Sequence, residues 1–176
     1  ILEGIMGEVP EKQAHGVRII MNHADNMLRL INDLLDIQKI ESGKLVLDVK
    51  PTQLGDVVTG FHEANKILAH DKGVEFTVEI QPGLSPIRLD EGKIGEVVNN
   101  LMSNSLKFCR KGDKVIIRVS APFPEYQLVD VTDTGPGIRP EELPKLFGKF
   151  QQISTKATGG EKGTGLGLSI CKKIVE

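Results

Sequence analysis

Gly95-Glu96-Val97-Val98-Asn99-Asn100-Leu101-Met102-Ser103-Asn104-Ser105-Leu106-Lys107-Phe108 is the stretch on which the reading of this 176-residue chain turns. Apolar side chains at Ile94, Val97, Leu101 and Phe108 recur at helical spacing and predict a helix over residues 91–108. Position 104 falls on the same seam, yet it is Asn. Asn100 lies about one turn earlier and Lys107 nearly one turn later, so the three side chains project from neighbouring faces. A polar residue on an apolar seam needs a partner. One possibility is structural, an amide satisfied by a nearby loop. The other is chemical, an amide oxygen on a hard cation with a lysine on phosphate.

Two downstream segments bear on that choice. Val129-Asp130-Val131-Thr132-Asp133 ends an apolar strand in a carboxylate, and the chain turns at once through Gly135 and Gly137. Glycine there lets a ligand approach the backbone, and the Asp133 carboxylate can accept a hydrogen bond from an amine such as adenine's. An Asp-initiated turn is the plainer alternative. Further on, five of the nine residues 159–167 are glycine, and a helix restarts near Leu166. Successive N–H groups opening onto a helix form an anion site that can close as a lid, against the alternative of a flexible linker. The spacing is not that of a P-loop or a dinucleotide fingerprint. No Gly-Lys pair is followed by Ser or Thr, and no Asp-Phe-Gly occurs, which disfavours P-loop enzymes and Ser/Thr protein kinases.

Outward from these segments, two regimes divide the chain. Residues 11–43 contain no proline, and Val17, Ile20, Ala24, Met27, Ile31 and Leu34 follow a heptad, widened by Met21, Leu28 and Leu35. Pro10 suits a helix start and Gly43 a helix stop. Residues 1–6 read as the end of an earlier helix and 7–9 as a tight connection. Beyond Gly43, strands are expected at residues 44–50, 74–80, 86–90, 114–121 and 127–132, with helices at 54–71 and 91–108. That mixture predicts an α+β sandwich, one sheet with helices on one face.

The composition, 39% hydrophobic and 26% charged, is that of a folded globular chain. A net charge of −2 and the absence of Trp give no reason to expect nucleic acid as a partner. No apolar run approaches a membrane span, and two cysteines cannot build a disulfide framework, so a cytoplasmic setting is expected.

The order of Glu96–Phe108, Asp133-Thr-Gly-Pro-Gly137, Phe147-Gly-Lys-Phe150 and Gly163-Thr-Gly-Leu-Gly167 resembles the N box, first glycine box, F box and second glycine box of bacterial sensor histidine kinases. Their catalytic domain has the Bergerat ATP-binding fold shared with gyrase-type ATPases. Residues 11–45, with Leu30-Ile-Asn-Asp-Leu-Leu-Asp36 and Lys39-Ile-Glu-Ser-Gly-Lys-Leu45, resemble the second helix of that family's dimerisation hairpin. The resemblance implies that residues 1–46 are the C-terminal part of the hairpin and residues 47–176 the ATP-binding catalytic domain. It implies ATP and Mg²⁺ as cofactors, with Asn104 as the Mg²⁺ ligand. Asn100 and Lys107 would act in catalysis, Lys107 by neutralising phosphate, and Asp133 would take the adenine amine. Gly135 and Gly137 would shape the base pocket. Gly163, Thr164, Gly165, Leu166 and Gly167 would clasp phosphates, while Lys145 would be a further phosphate contact. A homodimer through the hairpin and a response-regulator receiver domain are the expected protein partners, with no nucleic acid and no membrane segment in this chain.

The sequence departs from the family in three places. Phe108 stands where a tyrosine is common. None of His15, His23, His62 and His70 is followed by the acidic-Leu-Arg-Thr-Pro run of a phosphoacceptor, which is therefore expected upstream of Ile1. The closing strands are expected beyond Glu176. Gyrase-like relatives carry a general-base Glu where Asn100 stands, and an amide cannot take that proton, so transfer to a histidine is favoured over hydrolysis. The competing readings are a gyrase-like ATP hydrolase and a degenerate nucleotide-binding scaffold.

Overall fold

The computed structural model describes residues 10–152, 154, 158 and 163–176, without the side chain of Asn22. The helix and connection expected at residues 1–9, and the glycine pair at 159–160, lie outside the described residues. The chain divides into two compact units, residues 1–44 and 45–176.

The described part of the first unit is one helix, α1 (Glu11–Glu41), entered directly from Pro10. It ends where Gly43 adopts φ +66°, a left-handed conformation that costs glycine nothing. The Gly43 N–H then donates to Ile40 O at 3.0 Å and the Lys44 N–H to Lys39 O at 2.8 Å, satisfying carbonyls that the helix leaves open. The Ser42 hydroxyl donates to Gln38 O at 2.7 Å. Ile20, Met27, Leu28, Ile31, Leu34 and Leu35 are all exposed along it.

The second unit runs β1 (Lys50–Thr52), α2 (Leu54–Lys72), β2 (Glu75–Ile80), β3 (Ile87–Leu89), α3 (Glu91–Phe108), β4 (Lys114–Phe123), β5 (Tyr126–Asp133), a 3₁₀ turn at Leu143–Lys145 and α4 (Gly167–Val175). Strands β2, β4 and β5 form a mixed sheet in that order, β2 parallel and β5 antiparallel to β4. Strands β1 and β3 form a separate antiparallel pair. The strand expected at residues 44–50 is a correction: regular pairing begins only at Lys50. The alternating Leu47 and Val49 remain exposed because no strand among the described residues pairs with them, whereas Lys50 to Thr52 find the ladder of β3.

Alternation along β4 sets the two faces of the sheet. Val115, Ile117 and Val119 are fully buried and pack beneath α2 and α3, with Val58, Val98, Met102 and Leu106. The opposite face is polar: Arg118 joins Glu79 at 2.7 Å and Asp130 at 3.8 Å across three strands, and Lys114 joins Glu75 at 2.7 Å. This is an α+β fold with its helices on one side. Gly95 lets α2 and α3 approach, since a Cβ there would meet the Phe61 ring at 2.6 Å.

Candidate functional site

Helix α3 carries the site, and its start is tightly specified. Asp90 caps it: Oδ1 accepts from the Lys93 N–H at 3.0 Å and Oδ2 from the Asp48 N–H at 2.8 Å. Those donors, Lys93 first and Asp48 next, favour the ionised carboxylate and hold its pKa below the ordinary value. The apolar positions of α3 face the sheet, so Asn100, Asn104 and Lys107 fall at the edge of the core and are half-buried. The Asn104 carboxamide makes no hydrogen bond to another described residue, which leaves its oxygen for a ligand.

Strand β5 delivers Asp133 alongside that helix. Its Oδ1 accepts from the Gly135 N–H at 2.9 Å, and its Oδ2 accepts from the Ser105 hydroxyl of α3 at 3.1 Å. The turn reading and the ligand reading of Asp133 thus coexist: one oxygen starts the turn, and the carboxylate remains exposed to solvent. Gly135 allows the turn because a Cβ there would come within 2.9 Å of Asp133 Oδ1. Gly137 adopts φ +69° with open space around it. Cys109, which ends α3, is 1% exposed and lies within 3.5 Å of that same Gly135 position. Burial, then the Asp133 and Asp113 carboxylates, push its thiol up to about 11.

Residues 163–167 also lie against α3. Lys107 Nζ would be 3.0 Å from a Cβ on Gly163, and Asn100 Oδ1 would be 3.0 Å from a Cβ on Gly167. Glycine is what permits both approaches. Gly165 has φ +73°, and a Cβ there would collide with the backbone of Phe150 and Gln151 at 2.8 Å. Phe150 itself holds φ +57°, unusual for a bulky residue. The Gln152 side chain donates to Gly163 O at 2.7 Å. Thr164 Oγ1 accepts from the Leu166 N–H at 3.2 Å, while the Leu166 side chain is 1% exposed and belongs to the core. Helix α4 then packs on α3 through the Cys171 thiol, 3.9 Å from Val97 O.

Helix α3 thus meets Gly163 through Lys107, Gly167 through Asn100 and the Asp133–Gly135 turn through Ser105, while Gly165 rests on the Phe150–Gln151 backbone and Asn104 lies half-buried one turn after Asn100. Lys145 does not join them: it is exposed in the 3₁₀ turn, and no described hydrogen bond or ion pair links it to α3, β5 or residues 163–167. Five residues escape the sequence reading. Ser105 holds Asp133. Thr158 donates to Lys107 O at 2.9 Å and Cys109 O at 3.1 Å, at the end of α3. Glu142 accepts from the Ser154 N–H at 2.7 Å and from its hydroxyl at 3.1 Å. Only Ser105 left a local signal, a hydroxyl beside Asn104 on an otherwise apolar flank; the other pairings, like the Gln152 contact with Gly163, are purely tertiary.

Comparison with known proteins gives the chain's family and fold relatives. The family described as histidine kinase-, DNA gyrase B- and HSP90-like ATPase matches residues 89–176. Hybrid signal transduction histidine kinase L of Dictyostelium discoideum is 37% identical over 94% of this chain, which spans 10% of that protein. The circadian input-output histidine kinase CikA of Synechococcus elongatus is 32% identical over 100% of the chain, which spans 24% of it. Full-length ShkA, solved in complex with AMPPNP, superposes with a TM-score of 0.79 at 27% identity, covering 95% of this chain and 34% of that one. The chain thus corresponds to a minor fraction of each of these longer proteins.

Proposed function

Because the chain belongs to the histidine kinase-, DNA gyrase B- and HSP90-like ATPase family, we propose that residues 47–176 bind ATP and transfer its γ-phosphoryl group to a histidine. The observation that carries this is the convergence on one helix: Lys107 and Asn100 meet Gly163 and Gly167, while Ser105 of the same helix meets Asp133. An adenine bound at Asp133 would direct its phosphates along α3 toward the lysine and the glycine segment. Lys107 offsets phosphate charge, and the N–H groups of Gly163 and Gly165 offer donors to it. Among the curated and solved relatives, ShkA was crystallised with AMPPNP, in keeping with an adenine nucleotide.

The residues present fit Mg²⁺, which is held through one or two protein oxygens plus phosphates, and the uncommitted carboxamide of Asn104 is such an oxygen. When bound, the ion supplies neutralisation of the charge that develops on the transferring phosphoryl group. The chain's own part is positioning. Asn100 sits where a proton-accepting carboxylate would be needed to activate water, and it cannot accept one, so transfer is favoured over hydrolysis. The same reading takes residues 1–46 as part of a dimerisation hairpin, with homodimerisation through α1, relay to a receiver domain and a cytoplasmic site of action. No described helix is long and apolar enough to cross a membrane.

The test is to mix the chain with labelled Mg-ATP and a separate helical hairpin bearing a phosphoacceptor histidine. Acid-labile, base-stable label on the hairpin is expected. Release of inorganic phosphate without label would favour the hydrolase reading, and ATP binding with neither would favour the scaffold.

A further inference from the structure

We propose that Ser105 is a positioning residue that sets nucleobase selection, holding Asp133 as an acceptor for a purine bearing an amine at C6. The inference rests on the proposed ATP reading and deepens it. Ser105 is 8% exposed, and its only partner on β5 is the Asp133 carboxylate, 3.1 Å away. An ionised carboxylate only accepts, so the hydroxyl proton must point at Asp133 Oδ2. The Gly135 N–H occupies Oδ1 from the other side at 2.9 Å. With a donor on each oxygen, the carboxyl plane is clamped and cannot turn about its terminal torsion, which is otherwise broad. The lone pairs left over point outward from a fixed plane, toward the exposed side.

A clamped acceptor discriminates by chemistry. It rewards an exocyclic N–H and opposes a carbonyl, because two acceptors facing each other leave both unpaired. The chain therefore selects a 6-aminopurine over a 6-oxopurine, and Ser105 sharpens that selection without touching the base. Removing the hydroxyl frees Asp133 Oδ2 to rotate or to take up water, and the preference relaxes.

The experiment measures the affinities of the full chain for ATP and for inosine triphosphate, which carries a carbonyl at C6. Ser105→Ala, Ser105→Thr and Asp133→Asn are compared with the parent, and each is checked for folding by circular dichroism. Ser105→Ala should reduce the ATP-to-inosine-triphosphate preference about threefold to tenfold, the worth of one ordinary hydrogen bond, because the lost bond positions the acceptor and does not touch the base. Ser105→Thr, which restores the hydroxyl, should recover most of it, and it stands in if the alanine variant does not fold. Asp133→Asn should abolish the preference. An unchanged ratio in Ser105→Ala, with both nucleotides weakened equally, would reduce Ser105 to a packing role and overturn the proposal. An unchanged ratio in Asp133→Asn would instead remove the adenine assignment of Asp133 itself, and the positioning role would fall with it.

Discussion

Asn104 and Cys109 lie little more than one turn apart on α3, and their surroundings assign them opposite behaviour. Asn104 offers an amide oxygen that no described residue claims, so its contribution should depend on the ion it is proposed to hold. Asn104→Ala is expected to weaken ATP binding about tenfold with Mg²⁺ present, roughly the worth of one good ligand. Without Mg²⁺ the affinity should be unchanged, and titration calorimetry in the two buffers distinguishes this from general damage. Cys109, by contrast, is 1% exposed beneath the turn that begins at Asp133. Its thiol is pushed up to about 11, by burial first and by the neighbouring carboxylates next. The folded state then holds that proton more tightly than the unfolded chain does. The stability it contributes is complete below the ordinary thiol pKa and is lost as pH rises from there through about 11. Urea unfolding between pH 8 and 11 should show this decline, and Cys109→Ala should flatten it; an equal slope in both proteins would contradict the account. At pH 8 the native thiol should also react far more slowly with a thiol reagent than the urea-unfolded chain.

At the scale of elements, α3 was legible because its signals are local. Its seam and the Asn at position 104 sit within one stretch, and the observed Glu91–Phe108 has the expected limits. The strand expected at residues 44–50 shows the reverse. Its alternation is real, yet Leu47 is 44% and Val49 37% exposed, because a strand exists only where a partner ladder does. That partner, β3, pairs with Lys50–Thr52, and the preceding backbone is tied to the Asp90 cap instead. The Ser105–Asp133 contact, 28 residues apart in sequence, was hidden for the same reason. Asp90 therefore serves two segments at once, which makes a strong prediction. Asp90→Ala should cost about 2 kcal/mol, at the upper end for a helix cap, because the Asp48 N–H is orphaned as well. Thermal unfolding should fall by roughly 4–8 °C. Since the folded carboxyl titrates below its ordinary value, its stabilisation is present above the unfolded pKa and disappears as pH falls through the folded one. Asp90→Asn should retain part of the cap but lose that acid dependence, so a variant as acid-sensitive as the parent would refute the assignment.

For the whole molecule, the two units pose different physical problems. Residues 45–176 bury a core between one sheet face and the helices, and they charge the other face with Arg118, Glu79 and Asp130. Helix α1 has no such solution within its described residues. Nine large apolar side chains, from Ile19 to Leu35, are exposed along 31 residues. A helix of this kind gains most of its stability from packing its apolar stripe, not from propensity. Covering each of these side chains even halfway would contribute about 1 kcal/mol or more, so the seam is worth of order 10 kcal/mol per chain. Two chains together exceed or match the roughly 4–15 kcal/mol that association costs in lost freedom. The heptad through Val17, Ile20, Ala24, Met27, Ile31 and Leu34 is the pattern that pairs with a copy of itself. The chain is therefore expected to sediment as a dimer at micromolar concentration. Ile20→Glu combined with Ile31→Glu places charges on that seam about three turns apart and should give a monomer with weaker helical circular dichroism. ATP affinity should be retained in that variant, because none of the candidate nucleotide residues lies in residues 1–44. A parent chain that sediments as a monomer at tens of micromolar, or a double variant that remains dimeric, would show that α1 is covered in some other way.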